Sequence, residues 1–88
     1  MERKEIYEKI KQAISSVLRR EVDFTGITED TDIIESLNLN SIVAIELVVR
    51  METLFDIEID DEDLSTDLFR TLKNIADYIE EKRALANE

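Results

Sequence analysis

The stretch from Ser41 to Phe55, SIVAIELVVRMETLF, constrains this chain more than any other. It holds neither Gly nor Pro, and its charged positions Glu46, Arg50 and Glu52 are too widely spaced to solvate a full face. A solvated helix usually carries one apolar stripe. Here Ile42, Ile45 and Val49 fall on one side, Leu47 and Met51 on nearly the opposite side, and Val43 and Val48 widen the apolar surface. Such a helix either lies deep among others or buries one face and offers the other to partners. Asn40 precedes it and is a good N-cap residue. Ser41 then takes the first helical position, at the positive end of the helix and close to unpaired backbone N–H groups.

The 88 residues are read as one domain, and a chain of this length has room for only a modest core. Cysteine is absent, which removes disulfides and thiolate metal sites. Histidine is absent too, which removes the commonest general base and the commonest zinc ligand. The formal net charge of −11 argues against nucleic acid as a ligand, because phosphate binding needs a basic surface. It favours basic partners, and it also keeps a small protein soluble and monomeric. No apolar run is long enough to span a membrane. The first residues, MERKEIYEKI, have charges throughout and no apolar signal core, so the cytoplasm is the expected location.

Helical spacing of Ile6, Ile10, Ala13, Ile14, Val17 and Leu18 predicts a first helix over about 2–20, with Tyr7 flanking its stripe. Residues 21–39 read as a long, mostly irregular connection. Val22 and Phe24 anchor it, and Gly26, the only glycine, marks a turn. Thr31 or Asp32 is placed to cap a short turn that carries Ile33, Ile34 and Leu37 inward. The second helix covers about 41–55. Asp60 caps a short third helix over about 61–65, with Ile57, Ile59, Leu64, Leu68 and Phe69 directed to the core. Thr71 caps a last helix over about 72–85, whose stripe is Leu72, Ile75, Ala76 and Ile79. The fold class expected is all-α: a small irregular four-helix bundle with a long first loop.

This residue set excludes most chemistry. A serine nucleophile needs an activating base, and no histidine or Ser-x-x-Lys arrangement supplies one to Ser41. The carboxylates cluster as surface runs without a basic partner from Met51 to Phe69. The acidic stretch from Asp56 to Asp63 lacks the central glycine and terminal glutamate of an EF-hand loop. No catalytic residue and no dedicated metal site are therefore expected.

The segment DIIESLNLNSIVAIELV, residues 32–48, resembles the region around the modified serine of acyl carrier proteins. The resemblance continues through ETLFDIEI and DED at 52–59 and 61–63 and ends in TLKNIADYI at 71–79, so it covers essentially the whole chain in order. It implies a four-helix carrier fold in which Ser41 carries 4'-phosphopantetheine. A phosphopantetheinyl transferase installs that arm from coenzyme A with magnesium, and the arm's thiol holds acyl groups as thioesters for fatty acid biosynthesis or a related pathway. The protein is then a cosubstrate of ketosynthases, acyltransferases or acyl ligases and not an enzyme itself. An apolar cleft for part of the cargo has Ile45, Val49, Leu54, Ile59, Leu64, Phe69 and Ile75 as candidate linings, each equally explicable as core. Asn40, Ile42, Val43, Glu46, Arg50, Glu52, Glu58, Asp60, Asp61, Glu62 and Asp63 are the candidates for partner recognition.

The motif departs from the family's Leu-Gly-x-Asp-Ser-Leu pattern at three places: Asn38 replaces the glycine, Asn40 the aspartate and Ile42 the leucine. Asn40 keeps the capping oxygen but loses a charge used in transferase recognition. Val43 stands where an acid is common, and Arg50 adds a positive charge. These departures point to a specialised carrier, for polyketide, aminoacyl, D-alanyl or peptide intermediates, as the alternative to the fatty-acid one. A different class of function is an interaction module with the same fold that never carries a group.

Overall fold

The computed structural model describes residues 2–86, and among them the only regular elements are helical. Four α-helices run α1 Arg3–Leu18, α2 Ile33–Ser36, α3 Ser41–Phe55 and α4 Leu72–Ala86, with a single 3-10 turn at Asp61–Asp63. Helix α1 packs against both α3 and α4 and so is the centre of the bundle. Its stripe of Ile6, Ile10, Ala13, Ile14 and Val17 is buried, while Leu18 is half-buried. Helix α3 contributes Leu47, Val48, Met51 and Phe55 to the core, and α4 contributes Leu72, Ile75, Ala76 and Ile79. The radius of gyration is 12.1 Å. A compact domain of this length has roughly 12 Å, so the long first connection is folded against the bundle and does not trail from it.

Backbone and side-chain bonds explain why that connection lies down. Ile33 N–H donates to the Arg70 carbonyl at 2.8 Å, and Lys73 N–H donates to the Glu29 carbonyl at 3.1 Å. Tyr7 donates from its hydroxyl to Glu29 at 2.6 Å. Burial, and then this bond, push the Tyr7 phenol above its ordinary value. Asp32 caps α2 by accepting from Glu35 N–H at 3.1 Å, and its other oxygen accepts from Arg70 Nη1 at 3.1 Å. Residues 29–33 of the loop are thus tied to α1 and to the start of α4. Gly26 has φ 83°, which accounts for a glycine at that turn.

The helix ends carry a feature that residue types alone hide. Arg19, Asn38 and Asp56 have φ of 58°, 54° and 52°, the left-handed conformation that glycine adopts most easily. Each is followed by a residue whose N–H reaches five positions back: Arg20 to Ser15 at 3.3 Å, Leu39 to Ile34 at 3.0 Å, and Ile57 to Glu52 at 3.2 Å. Helix α1 therefore stops at Leu18, short of the boundary at about 20 expected from its stripe. Replacing Arg19 by glycine is expected to stabilise the protein by up to about 1 kcal/mol, read as a higher urea midpoint. Asn38→Gly and Asp56→Gly are expected to gain less, because Asn and Asp tolerate this conformation better.

The second half of α4 holds the end of α3 and the acidic stretch. Arg83 Nη1 donates to the Phe55 carbonyl at 3.0 Å. Lys82 Nζ lies 2.9 Å from Asp60 and 3.7 Å from Asp63, and the Tyr78 hydroxyl donates to Asp63 at 2.7 Å. Glu52 accepts from Ile59 N–H at 3.0 Å and folds the strand-like exit back on α3. The third helix, expected over 61–65, is only the three-residue 3-10 turn, and Asp60 stands before it without a side-chain capping bond. Leu64 consequently falls beyond the turn in extended backbone and is 37% exposed, not in the core; Ile57 and Leu68 are half-buried.

This clamp has a pH signature. Burial and the bond to Asp63 raise the Tyr78 phenol, and the hydrogen bond to Asp60 raises the Lys82 ammonium. Groups raised on folding stabilise below their unfolded values, about 10 for both, and lose that contribution as pH climbs through the folded values. Thermal melts of the protein and of Tyr78→Phe are therefore expected to differ most at pH 8 and to draw together as pH rises above ~10. A constant difference across that range would contradict the pairing.

Candidate attachment site and cleft

The approach to Ser41 is built by three consecutive local features. Leu37 and Leu39 are buried and pin the short link between α2 and α3. Asn38, left-handed between them, turns the chain sharply. Asn40 is extended, at φ −104° and ψ 178°, and its Oδ1 accepts from Val43 N–H at 2.9 Å while Ala44 N–H donates to its carbonyl at 2.9 Å. The cap therefore uses the amide oxygen, the atom an aspartate would also offer. Ser41 begins α3, is exposed, and no other described residue forms a hydrogen bond with its hydroxyl.

Ser41 stands on the rim of an open cleft of about 380 Å³. The walls are Ile34 and Leu39 from the link, Ala44, Ile45 and Val48 from α3, and Leu64 and Phe69 from the segment before α4; Asn40, Ser41, Ser65 and Thr66 supply the polar edge. None of these side chains titrates. No general acid or base faces the serine, so the arrangement has no means to make its hydroxyl a nucleophile for the chain's own chemistry. It does offer an unencumbered hydroxyl beside apolar shelter.

Of the seven cleft candidates, Ile45, Leu64 and Phe69 meet at this cleft. Val49 and Leu54 lie on the outer surface of α3, 59% and 37% exposed, and Ile59 and Ile75 are buried in the core away from the walls. Sequence reasoning missed Ile34, Leu39, Ala44 and Val48. For Ile34 and Leu39 the available signal was their apolar character on either side of the turn ahead of Ser41.

The partner-recognition candidates separate into two groups. Ile42, Glu46, Arg50, Glu58, Asp61 and Glu62 are exposed, and Ile42 is 68% so. Asn40 is engaged in capping, Val43 is half-buried against the core, and Glu52, Asp60 and Asp63 are engaged by Ile59 N–H, Lys82 and Tyr78. Among the described residues, no group of three or more carboxylates is positioned to hold a metal ion, and no helix is long and apolar enough to cross a membrane.

Comparison with known proteins decides the family. The model of the phosphopantetheine attachment site matches residues 8–79. An acyl carrier protein of Thermotoga maritima is 36% identical over 80 residues, which are 91% of this chain and 94% of the relative. One from Aster yellows witches'-broom phytoplasma is 42% identical over 74 residues, 84% of this chain and 92% of the relative. One from Syntrophobacter fumaroxidans is 38% identical over 63 residues, 72% of this chain and 75% of the relative. The chain belongs to the acyl carrier protein family. As a family member it is a non-catalytic carrier that works through phosphopantetheine. The bundle of short and long helices around α1 is the all-α fold expected of an acyl carrier protein.

Proposed function

We propose that Ser41 is the attachment residue and that the chain carries fatty acyl intermediates in the cytoplasm. The observation that carries this reading is the exposed Ser41 hydroxyl on the rim of an apolar cleft without an ionisable wall. The attached arm supplies the thiol on which acyl groups are held. This chain's part is to present the hydroxyl, to meet the phosphodiester's negative charge with the unpaired N–H groups of the first turn of α3, and to shield apolar cargo from water. The cleft walls favour an uncharged acyl chain, because the ammonium of an aminoacyl group finds no counter-charge there. A phosphopantetheinyl transferase loads Ser41, and ketosynthases, acyltransferases or acyl ligases use the loaded protein. Glu46, Glu58, Asp61 and Glu62 are the acids left free to steer basic partners.

A second reading concerns the pathway. The outer face of α3 is apolar at Ile42, Ile45 and Val49 and bears Arg50, which favours a specialised carrier over a housekeeping one. One experiment tests both. Intact mass of the protein recovered from its native cells is expected to exceed the sequence mass by one phosphopantetheine, and the residual mass identifies the cargo. Coexpression with a broad-specificity transferase is expected to give the same increase. No increase with several transferases would overturn the attachment.

A further inference from the structure

We propose that Arg50 determines partner specificity: it turns away proteins that dock through basic side chains and selects those that offer it a carboxylate beside an apolar seat. The proposal rests on attachment at Ser41, since an enzyme acting there must cover the start of α3. Arg50 is the only Lys or Arg between Glu21 and Phe69. It is exposed, and it forms no ion pair within 4 Å among the described residues. Arg3 is engaged by Asp77 and Glu80, Arg70 by Asp32 and Asp67, Lys82 by Asp60 and Asp63, and Arg83 by the Phe55 carbonyl; Lys4, Lys9, Arg19, Arg20 and Lys73 also form no ion pair among the described residues, but none of them lies on α3. Glu46 precedes Arg50 by four residues, the spacing of a helical ion pair, yet the two do not come together.

Arg50 lies nine residues beyond Ser41, ~13 Å along α3. It shares the exposed side of α3 with Ile42, Ile45, Glu46 and Val49. The first turn of α3 contains no acid. This face therefore bears one charge of each sign around aliphatic side chains, in a protein of net charge −11. Long-range attraction still brings basic proteins close. At contact, a basic docking patch meets Arg50 and three aliphatic groups with Glu46 as the one acid on this face, and juxtaposed like charges are strongly penalised. A second copy of the chain is a poor occupant, because two molecules of charge −11 repel each other. The complementary occupant is a protein whose docking surface sets a carboxylate opposite Arg50 and apolar side chains opposite Ile45 and Val49.

The test loads the apo protein from coenzyme A with two phosphopantetheinyl transferases, one with a basic docking surface and one whose docking surface sets a carboxylate beside apolar side chains. The rates are compared at low and high salt. For the basic-surfaced enzyme, Arg50→Glu is expected to raise kcat/KM about tenfold at low salt, with the gain lost at high salt, and Arg50→Ala to fall between. For the carboxylate-bearing enzyme, Arg50→Glu is expected to lower kcat/KM about tenfold at low salt, and Val49→Ser to lower it at either salt; an unchanged rate in Arg50→Glu would overturn the selection. If Arg50→Glu matches the unaltered protein with the basic-surfaced enzyme at low salt, while both are loaded, the proposal is overturned and attachment stands. If neither enzyme loads any version, attachment at Ser41 fails and this proposal falls with it.

Discussion

Ser41→Ala is expected to abolish the phosphopantetheine mass increase entirely while leaving the melting temperature within a few degrees of the unaltered protein. Loss of attachment follows from chemistry, since no other hydroxyl shares its position. Ser65 and Thr66 also edge the cleft, but they lie in the irregular segment before α4 and not at a helix start. Stability should hold because the Ser41 hydroxyl has no hydrogen-bond partner among the described residues and the capping bond belongs to Asn40. Exposed substitutions away from caps and cores usually change stability by less than about 0.5 kcal/mol. Retention of the mass increase in Ser41→Ala would locate the arm elsewhere. A coincident large drop in melting temperature would make Ser41 a structural residue.

Phe55→Ala is the substitution expected to cost the most stability. Phe55 is 1% exposed and closes α3 against α1, and Lys9 lies over its ring at 5.9 Å. Truncating a buried phenylalanine typically costs about 3–5 kcal/mol. A domain of this size has a total stability of only roughly 4–13 kcal/mol, so the variant is expected to sit near the edge of folding. The melting temperature should fall by about 15 °C or more. Val49→Ala, on the outer side of the same helix, should be nearly silent in the same melt. Equal effects at the two positions would mean that the buried and outer sides of α3 are wrongly assigned.

These two residues also show what was legible beforehand. Asn40 and Ser41 were readable because a helix start is a local event: one side-chain oxygen reaches an N–H three residues on, and the residues concerned are adjacent in the chain. The stripes of α1 and α4 were readable because a single apolar face leaves no choice of which side goes inward. Helix α3 was not readable in that way, since it is apolar on two sides. The cleft suffered from the same ambiguity: Val49 and Ile45 share an exposed side, yet only Ile45 reaches the walls built by Leu64 and Phe69. The helix ends were hidden because Arg19, Asn38 and Asp56 adopt a conformation that their residue types do not announce.

The helical class, the capped start of α3, the solitary serine upon it and the absence of any histidine to activate that serine follow from the residues alone. Local spacing, capping chemistry and composition suffice for those. Packing between helices is what makes α1 the central helix, turns Leu47, Met51 and Phe55 to the inner side of α3 and leaves Ile42, Ile45 and Val49 on the outer one. It also decided which acids remain free. Asp60 and Asp63 look like Glu58 and Glu62 in a list of residues, but Lys82 and Tyr78 reach them from α4, 15 to 22 positions along the chain. Contacts of that separation depend on how the helices pack, and no pattern confined to one helix encodes them.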